Sequence, residues 1–456
     1  MKRSLLLIGC ALAACGPRSE NTLGAGLPKG FWLGAASAPH QIEGGLDNDW
    51  SRWEEGYFPD GSPHIRDGSR SAESARSWEL WPQDIAALED LGANSYRLGL
   101  EWSRLEPAPG VWNAEAAARY REMLLALRAK GIEPMVTVSH FSLPQWFADQ
   151  GGWESEDALA LFTAHCRRVG VAFGDLVDTW VTLNEPNVHA LFSYATGQWP
   201  PGVQDMKRAT RVYATLIRAH AVAAAALRET DLFDANDDGR ATFIGMAHHV
   251  SLIQPASSSP LDTTIAAATD DYANESVPRA ALTGRITLSV PGVIEIDEEV
   301  EGLKGSFDFL GLNFYYRLHV RADFSSMSLS KLYVPEGNSV SDLGGEVYGD
   351  GLYRALKRYG GYPWPIYLTE NGIADAADEQ RPKFLRDNLR GIERAVAEGV
   401  NVGGYFYWSL TDNFEWAEGF GGKFGLYAID FNDPSRARVA RPSSQVFRDA
   451  AMELAR

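Results

Sequence analysis

Cysteine is almost missing from this chain, with three among 456 residues, at positions 10, 15 and 166. The first two lie at the extreme N-terminus, so the body holds one thiol and no internal disulfide framework. Cys166 falls in an apparent helix without a Cys partner, which predicts a buried, inert thiol. Basic charge is also short: 42 Lys and Arg face 60 Asp and Glu, a formal net charge of −18. That excludes nucleic acid as a partner, because a polyanion needs a basic surface, and it disfavours an acidic polysaccharide. No Gly-rich phosphate fingerprint opens the first strand–helix unit. No Cys/His cluster has metal-ligand spacing, so no metal or other cofactor is implied. Outside the first residues, no apolar run is long enough to cross a membrane.

Apolar residues, by contrast, make up 45% of the chain, and 14 are Trp. Most Trp will fill a large core, but flat rings also suit the C–H faces of sugars. Short β-rich runs occur at Phe31–Ser37, Ala93–Leu100, Ile132–His140, Thr179–Leu183, Ala241–His249, Phe307–Phe314, Ile366–Thr369 and Val402–Ser409. Helical periodicity separates them, clearest at Trp81–Leu91, Ala114–Lys130, Ala158–Phe173, Lys207–Arg228 and Glu379–Glu398. Eight alternating units in one stretch predict an α/β fold, a single-domain (β/α)8 TIM barrel over residues 27–456 with loop insertions. An open doubly wound sheet is the alternative. The longest irregular loops, Asp47–Arg76 and Phe324–Val347, are expected to shape an entrance.

Active sites of such barrels lie at the C-terminal strand ends. In chain order those ends carry Gln41 and Glu43, Arg97, His140, Asn184-Glu185-Pro186, His248-His249, Asn313 and Tyr315, Glu370-Asn371, and Trp408. His248 and His249 alternate in direction and cannot share an ion; both read as structural histidines. Two carboxyls among amides, an Arg and Trp suit glycosidic cleavage, in which one carboxyl donates a proton and the other attacks the anomeric carbon. An Arg beside one carboxylate would lower its pKa and mark the nucleophile. Barrel geometry alone leaves open which Glu is which.

Several segments resemble glycoside hydrolase family 1, the β-glucosidase type, from about Gly30 to Arg441. Thr182-Leu183-Asn184-Glu185-Pro186 is similar to its acid/base motif and Leu368-Thr369-Glu370-Asn371-Gly372 to its nucleophile motif. Phe31–Ser37 with Gln41-Ile42-Glu43-Gly44 resembles its N-terminal signature. Tyr96-Arg97-Leu98, Glu101-Trp102-Ser103-Arg104, Asp308–Asn313 and Trp408-Ser409-Leu410 also match, in the right order. The resemblance implies a retaining β-glycosidase acting on a small β-glycoside or oligosaccharide, with carboxyls roughly 5 Å apart. It implies Glu185 as general acid/base and Glu370 as nucleophile, oriented and ionised by Arg97 and Tyr315. Asn184 would bond the 2-hydroxyl. Gln41, His140, Asn313, Glu415, Trp416 and Phe424 would complete the sugar site above a Trp408 platform. Glu415 in place of a small residue implies a neutral sugar, not a 6-phosphorylated one, although Lys423 lies near. A transglycosylase, and a sugar-binding lipoprotein with weak turnover, are the rival readings.

The chain departs from the family pattern at Phe141, Gly345 and His40, which touches aglycone and glycone preference, and near Pro442, where a basic residue is expected and Ser444 stands. Asp234–Gly239 resembles half of a calcium loop, but the twelfth position is Gly245, so a solvated turn is expected. The N-terminus has a basic start and an apolar run from Leu5 to Ala14. Leu12-Ala13-Ala14-Cys15 resembles a bacterial lipoprotein cleavage site. Residues 1–14 would be a signal peptide, Cys15 the lipidated residue, and 15–26 a flexible tether. The resemblance implies export and a membrane anchor, on the periplasmic side of the inner or outer membrane, with Gly16 similar to the outer-membrane case.

Overall fold

The computed structural model describes residues 22–323, 325 and 330–456. The expected signal peptide and Cys15 lie outside the described residues. Strands β1 (Trp32–Ala36), β2 (Ser95–Gly99), β3 (Glu133–Ser139), β4 (Thr179–Asn184) and β5 (Phe243–Pro255) pair in sequence, all parallel. A small antiparallel hairpin follows, β6 (Arg285–Val290) with β7 (Ile294–Glu299). The barrel resumes with β8 (Phe309–Ala322). Antiparallel β9 (Ser330–Tyr333) extends it, and β10 (Ile366–Asn371) and β11 (Val402–Trp408) complete it. Pairing of β8 with β10 and of β11 with β1 closes the ring. Closure excludes the open-sheet alternative: this is a (β/α)8 barrel.

All eight expected barrel strands form. β2 and β4 are buried along their whole length, as expected of parallel strands covered on both faces. β5 and β8 run past the expected ends at His249 and Phe314. Their pairing continues from Leu252–Arg317 to Pro255–Val320, raising a two-stranded wall above the rim. Helices at Ser77–Leu91, Ala114–Ala129, Ala158–Phe173, Met206–Thr230 and Arg381–Ala397 match the periodic segments. The helix at Met206–Thr230 is capped by Asp205, which accepts from the N–H groups of Lys207 and Arg208. Its His220 Nδ1 lies 2.7 Å from Thr182 Oγ1 on β4. Burial pushes His220 down to about 3, so the ring is neutral. Cys166 is buried, and burial pushes its thiol up, away from the reactive thiolate.

The far end of the expected tether is not free. Gly24 and Gly26 donate their backbone N–H groups to Glu393 Oε1, at 2.8 and 3.0 Å, and Leu27 enters the core. Glycine permits this approach: a Cβ at Gly24 would lie 2.6 Å from the Ala450 carbonyl oxygen. The calcium-like segment is a turn satisfied by itself. Asp234 accepts from the N–H groups of Asp238 and Gly239, and Asp238 pairs with Arg240.

Candidate active site

A cavity of about 280 Å³ opens at the C-terminal ends of the strands. Glu185 directly follows β4 and Glu370 lies near the end of β10, both buried and both lining it. Next to Glu370 the chain cannot carry a side chain at Gly372, because a Cβ there would sit 1.8 Å from the Trp408 carbonyl oxygen. Phe141, Glu185 and Trp416 also line the cavity, and each holds a positive φ (69°, 42° and 50°). Left-handed backbone at non-glycine residues is uncommon and clusters where surroundings over-determine geometry. At Glu185 it turns β4 sharply into the short helix Pro186–His189.

Arg97 organises the floor. Fully buried on β2, it donates from Nη1 to Glu370 Oε1 at 2.5 Å and to the Thr369 carbonyl at 3.1 Å. It donates from Nη2 to Asn184 Oδ1 at 2.7 Å and from Nε to Thr137 Oγ1 at 3.0 Å. Arg can only donate, so the Asn184 atom it meets must be the oxygen. Asn184 Nδ2 therefore faces His140 Nε2, at 3.0 Å. Burial and Arg97 hold His140 well below the usual imidazole range. The ring is neutral, accepts at Nε2 and carries its proton on Nδ1. By the same logic Asn313 turns Nδ2 toward Asn184 Oδ1 (3.1 Å) and Glu185 Oε1 (2.8 Å), while its Oδ1 accepts from Thr369 Oγ1 at 2.6 Å. Asn313 is thus spent within the protein.

Tyr315 donates to Glu370 Oε2 at 2.6 Å. Burial and the two carboxyls raise the phenol well above its usual range, so it stays a donor. Burial pushes Glu370 up to about 7; Arg97 pulls it down, the charge on Glu185 adds to the rise, and Tyr315 opposes it. Arg97 acts in the expected direction, but burial outweighs it. The partners of the two carboxyls decide where the charge sits. A guanidinium and a phenol hold it on Glu370.

Around the pair, Gln41 donates to Asn413 Oδ1 and Glu415 Oε2, at 3.1 and 3.2 Å. Gln41 Oε1 and His140 Nδ1 are buried without a partner among the described residues. Trp408 and Trp416 both stack on His140, at 5.9 Å. Phe424 meets Tyr315 edge-on at 6.1 Å. Every candidate inside the described residues, Gln41 through Phe424, thus lies in one cluster. His40 sits behind it, stacked on Trp416 at 5.7 Å and bonded to Glu54 at 2.8 Å. Gly345 lines the cavity, where a Cβ would already approach Tyr316 to 3.0 Å. Of the two expected entrance loops, the described part of the second contributes Ser341, Leu343 and Gly345–Val347 to the lining. The first stays behind the wall, with Trp50 against Trp416 at 4.7 Å.

Sequence reasoning missed His249. It lines the cavity with Nδ1 3.3 Å from Glu185 Oε1, whereas His248 is buried and bonded to the Asn274 carbonyl. Strand alternation required one of the pair to face inward; treating both as structural discarded that signal. Trp199 and Phe192, with ring centroids 4.8 Å apart and planes tilted by 32°, also line the mouth and carried no strand-end signal.

A closed barrel with two carboxyls facing one sugar-sized cavity, one clamped by a cation and one not, defines a glycosidase of the two-carboxylate kind. Residues 24–453 match the profile of glycosyl hydrolase family 1. A 1,4-β-D-glucan glucohydrolase from Thermotoga neapolitana is 30% identical over 433 residues, 90% of this chain and 99% of that protein. A chloroplastic galactolipid galactosyltransferase from Arabidopsis thaliana is 31% identical over 85% of this chain, but the chain spans only 58% of that relative. The solved β-glucosidase from Thermotoga maritima in complex with glucoimidazole superposes with a TM-score of 0.82 at 28% identity, covering 95% of this chain and 99% of that one. The chain belongs to glycosyl hydrolase family 1. It is a retaining, β-glucosidase-type glycoside hydrolase.

Proposed function

We propose that the chain releases terminal non-reducing β-D-glucosyl residues, with β-galactosyl and β-fucosyl as related substrates, from neutral small glycosides or oligosaccharides. The carrying observation is the asymmetric support of the two carboxyls. Glu370, clamped by Arg97 and Tyr315, attacks the anomeric carbon while Glu185 protonates the leaving oxygen. Glu185 then takes a proton from water, which displaces Glu370 from the covalent intermediate. Two inversions return the original configuration. Asn184, locked by Arg97, presents its amide to the 2-hydroxyl. Gln41 Oε1 and His140 Nδ1 offer one acceptor and one donor to further hydroxyls, and Trp408 covers the C–H face. Glu415 offers a carboxyl and no cation where a phosphate would need one, and Lys423 lies over the Phe431 ring at 4.4 Å. The named Thermotoga maritima structure holds glucoimidazole in the same fold, which supports a glucose-like sugar.

A panel of nitrophenyl β-glucoside, β-galactoside, β-fucoside and β-mannoside tests this reading, with the glucoside expected among the fastest. Proton NMR should show the β-anomer as first product, and an initial α-anomer overturns the mechanism. Products in which sugar, not water, takes the glycosyl group would favour the transferase reading, toward which the galactosyltransferase relative points.

The Leu12–Cys15 motif supports a second part of the proposal: lipidation at Cys15 and retention at a bacterial membrane on the periplasmic side. Labelled palmitate should enter the wild type and not Cys15→Ala. A wild-type protein that takes up no label, and is found free of membranes, removes the anchor and leaves the enzyme.

A further inference from the structure

His249 makes no hydrogen bond to Arg97 or Glu370, yet it reaches the acid/base directly. Its Nδ1 lies 3.3 Å from Glu185 Oε1 and its Nε2 lies 3.0 Å from Ser251 Oγ. The ring is fixed from several sides. Its plane lies 15° from that of Tyr315, at 6.3 Å, and its backbone carbonyl accepts from Asn187 Nδ2 at 2.9 Å. Ser251 is held in turn by Asn274, which accepts from the Ser251 N–H at 3.1 Å and donates to its carbonyl at 2.8 Å.

Glu185 Oε1 therefore meets two nitrogens, Asn313 Nδ2 at 2.8 Å and His249 Nδ1 at 3.3 Å. Among the described residues, no hydrogen bond engages Oε2. The Asn313 nitrogen is fixed as a donor by the chain of contacts that begins at Arg97. With the Ser251 hydroxyl donating to Nε2, the tautomer this proposal requires, the ring proton lies on Nδ1 and is aimed at the carboxyl. An oxygen that already accepts two N–H bonds is a poor place for the acid proton.

We propose that His249 is a positioning residue for Glu185: with Asn313 it saturates Oε1, so that the acid proton resides on Oε2 and is delivered from there to the leaving oxygen. The inference rests on the glycosidase reading given above. In the first step the Oε2–H bond breaks, the proton passes to the glycosidic oxygen as its bond to the anomeric carbon opens, and Glu185 becomes a carboxylate. The two N–H donors then stabilise that charge. In the second step Oε2 recovers a proton from the attacking water. Nothing is oxidised or reduced. The titratable groups around the ring are Glu185 from β4, His248 beside it on β5, and Tyr315 and Tyr316 from β8, with Glu370 acting on Glu185 from β10.

A donor that stabilises the developing carboxylate eases transfer of the proton from Glu185 to the leaving oxygen. Its loss should therefore hurt most where the leaving group most needs a proton. The test compares wild type, His249→Phe, His249→Gln and Ser251→Ala on a dinitrophenyl β-glucoside, which leaves unaided, and on an alkyl β-glucoside, which does not. For His249→Phe, kcat/KM should fall about 10-fold more on the alkyl than on the dinitrophenyl substrate, and the alkaline limb of the pH profile should move to higher pH. His249→Gln, which keeps an N–H donor, should recover much of the difference, and Ser251→Ala should show a smaller shift in the same sense. Equal losses on both substrates, with an unmoved alkaline limb, overturn the inference, as does His249→Gln behaving like His249→Phe. Misfolding is separated by the thermal transition of each variant. A wild type inactive on both glucosides and on the other glycosides of the panel would instead sink the parent reading.

Discussion

The two sides of the cavity hold the same chemical group in different company. On one wall Glu370 is gripped by a fully buried guanidinium and a phenol, each donating to a different oxygen. On the other, both nitrogens near Glu185 converge on one oxygen and none is a permanent cation. A carboxylate that must stay ionised to attack gains from fixed positive charge. One that must give up a proton and retake it would be frozen by such charge. Division of labour between identical side chains is thus written in their neighbours.

Exchanging the two roles is the harshest test of that asymmetry. Glu370→Ala should lose on the order of 10⁴-fold or more in kcat, and external azide should restore turnover with an inverted α-glycosyl azide. Glu185→Ala with an activated glycoside and azide should yield the β-glycosyl azide. Swapped anomers, read by NMR, would reverse the assignment. A milder perturbation removes one donor: Tyr315→Phe should lower kcat by about 10- to 100-fold, the worth of a hydrogen bond to a charged group. Because the phenol favours the carboxylate, the acid limb of the pH profile, near 7 from the raised Glu370, should move to higher pH. An unmoved limb would detach Tyr315 from the ionisation of Glu370. The smallest effect concerns stability. Burial and the Glu370 charge push Glu415 up to about 8. With Glu370 also raised, these two carboxyls bind more protons in the folded than in the unfolded chain between about pH 4.5 and 8. Their contribution is fully present below the unfolded pKa and is lost as pH rises through the folded values. Measured by scanning calorimetry relative to wild type, the melting temperature of Glu415→Gln should rise across that window, because the amide has no charge to bury.

Much of this arrangement was legible beforehand because barrel strands announce themselves as short apolar runs and their ends as abrupt polar residues. Asn184-Glu185-Pro186 is such an end, and so is Glu370-Asn371. What escaped lies where that grammar stops. β5 and β8 continue beyond their apolar cores because they pair with each other above the rim, a long-range fact that no local window contains. His249 escaped because alternation gives a direction but not a neighbour: its meeting with Glu185 depends on β4 turning through left-handed backbone at the preceding strand end. His40 was read as a possible change at the sugar; the fold sets it one layer back, beneath Trp416, where a buried carboxylate at Glu54 holds it.

The clasp between Gly24, Gly26 and Glu393 has a bearing on handling as much as on folding. It pins the start of the described chain beside the last turns of the helix Arg381–Ala397, at the end of the barrel where the strands begin. The cavity opens at the other end. Anything grafted ahead of residue 22, whether an acyl group, an affinity handle or a covalent link to a bead, therefore pulls on the base and leaves the mouth turned outward. Immobilised in that way, the molecule would work as an upright cup, filled from the side of the bulk liquid.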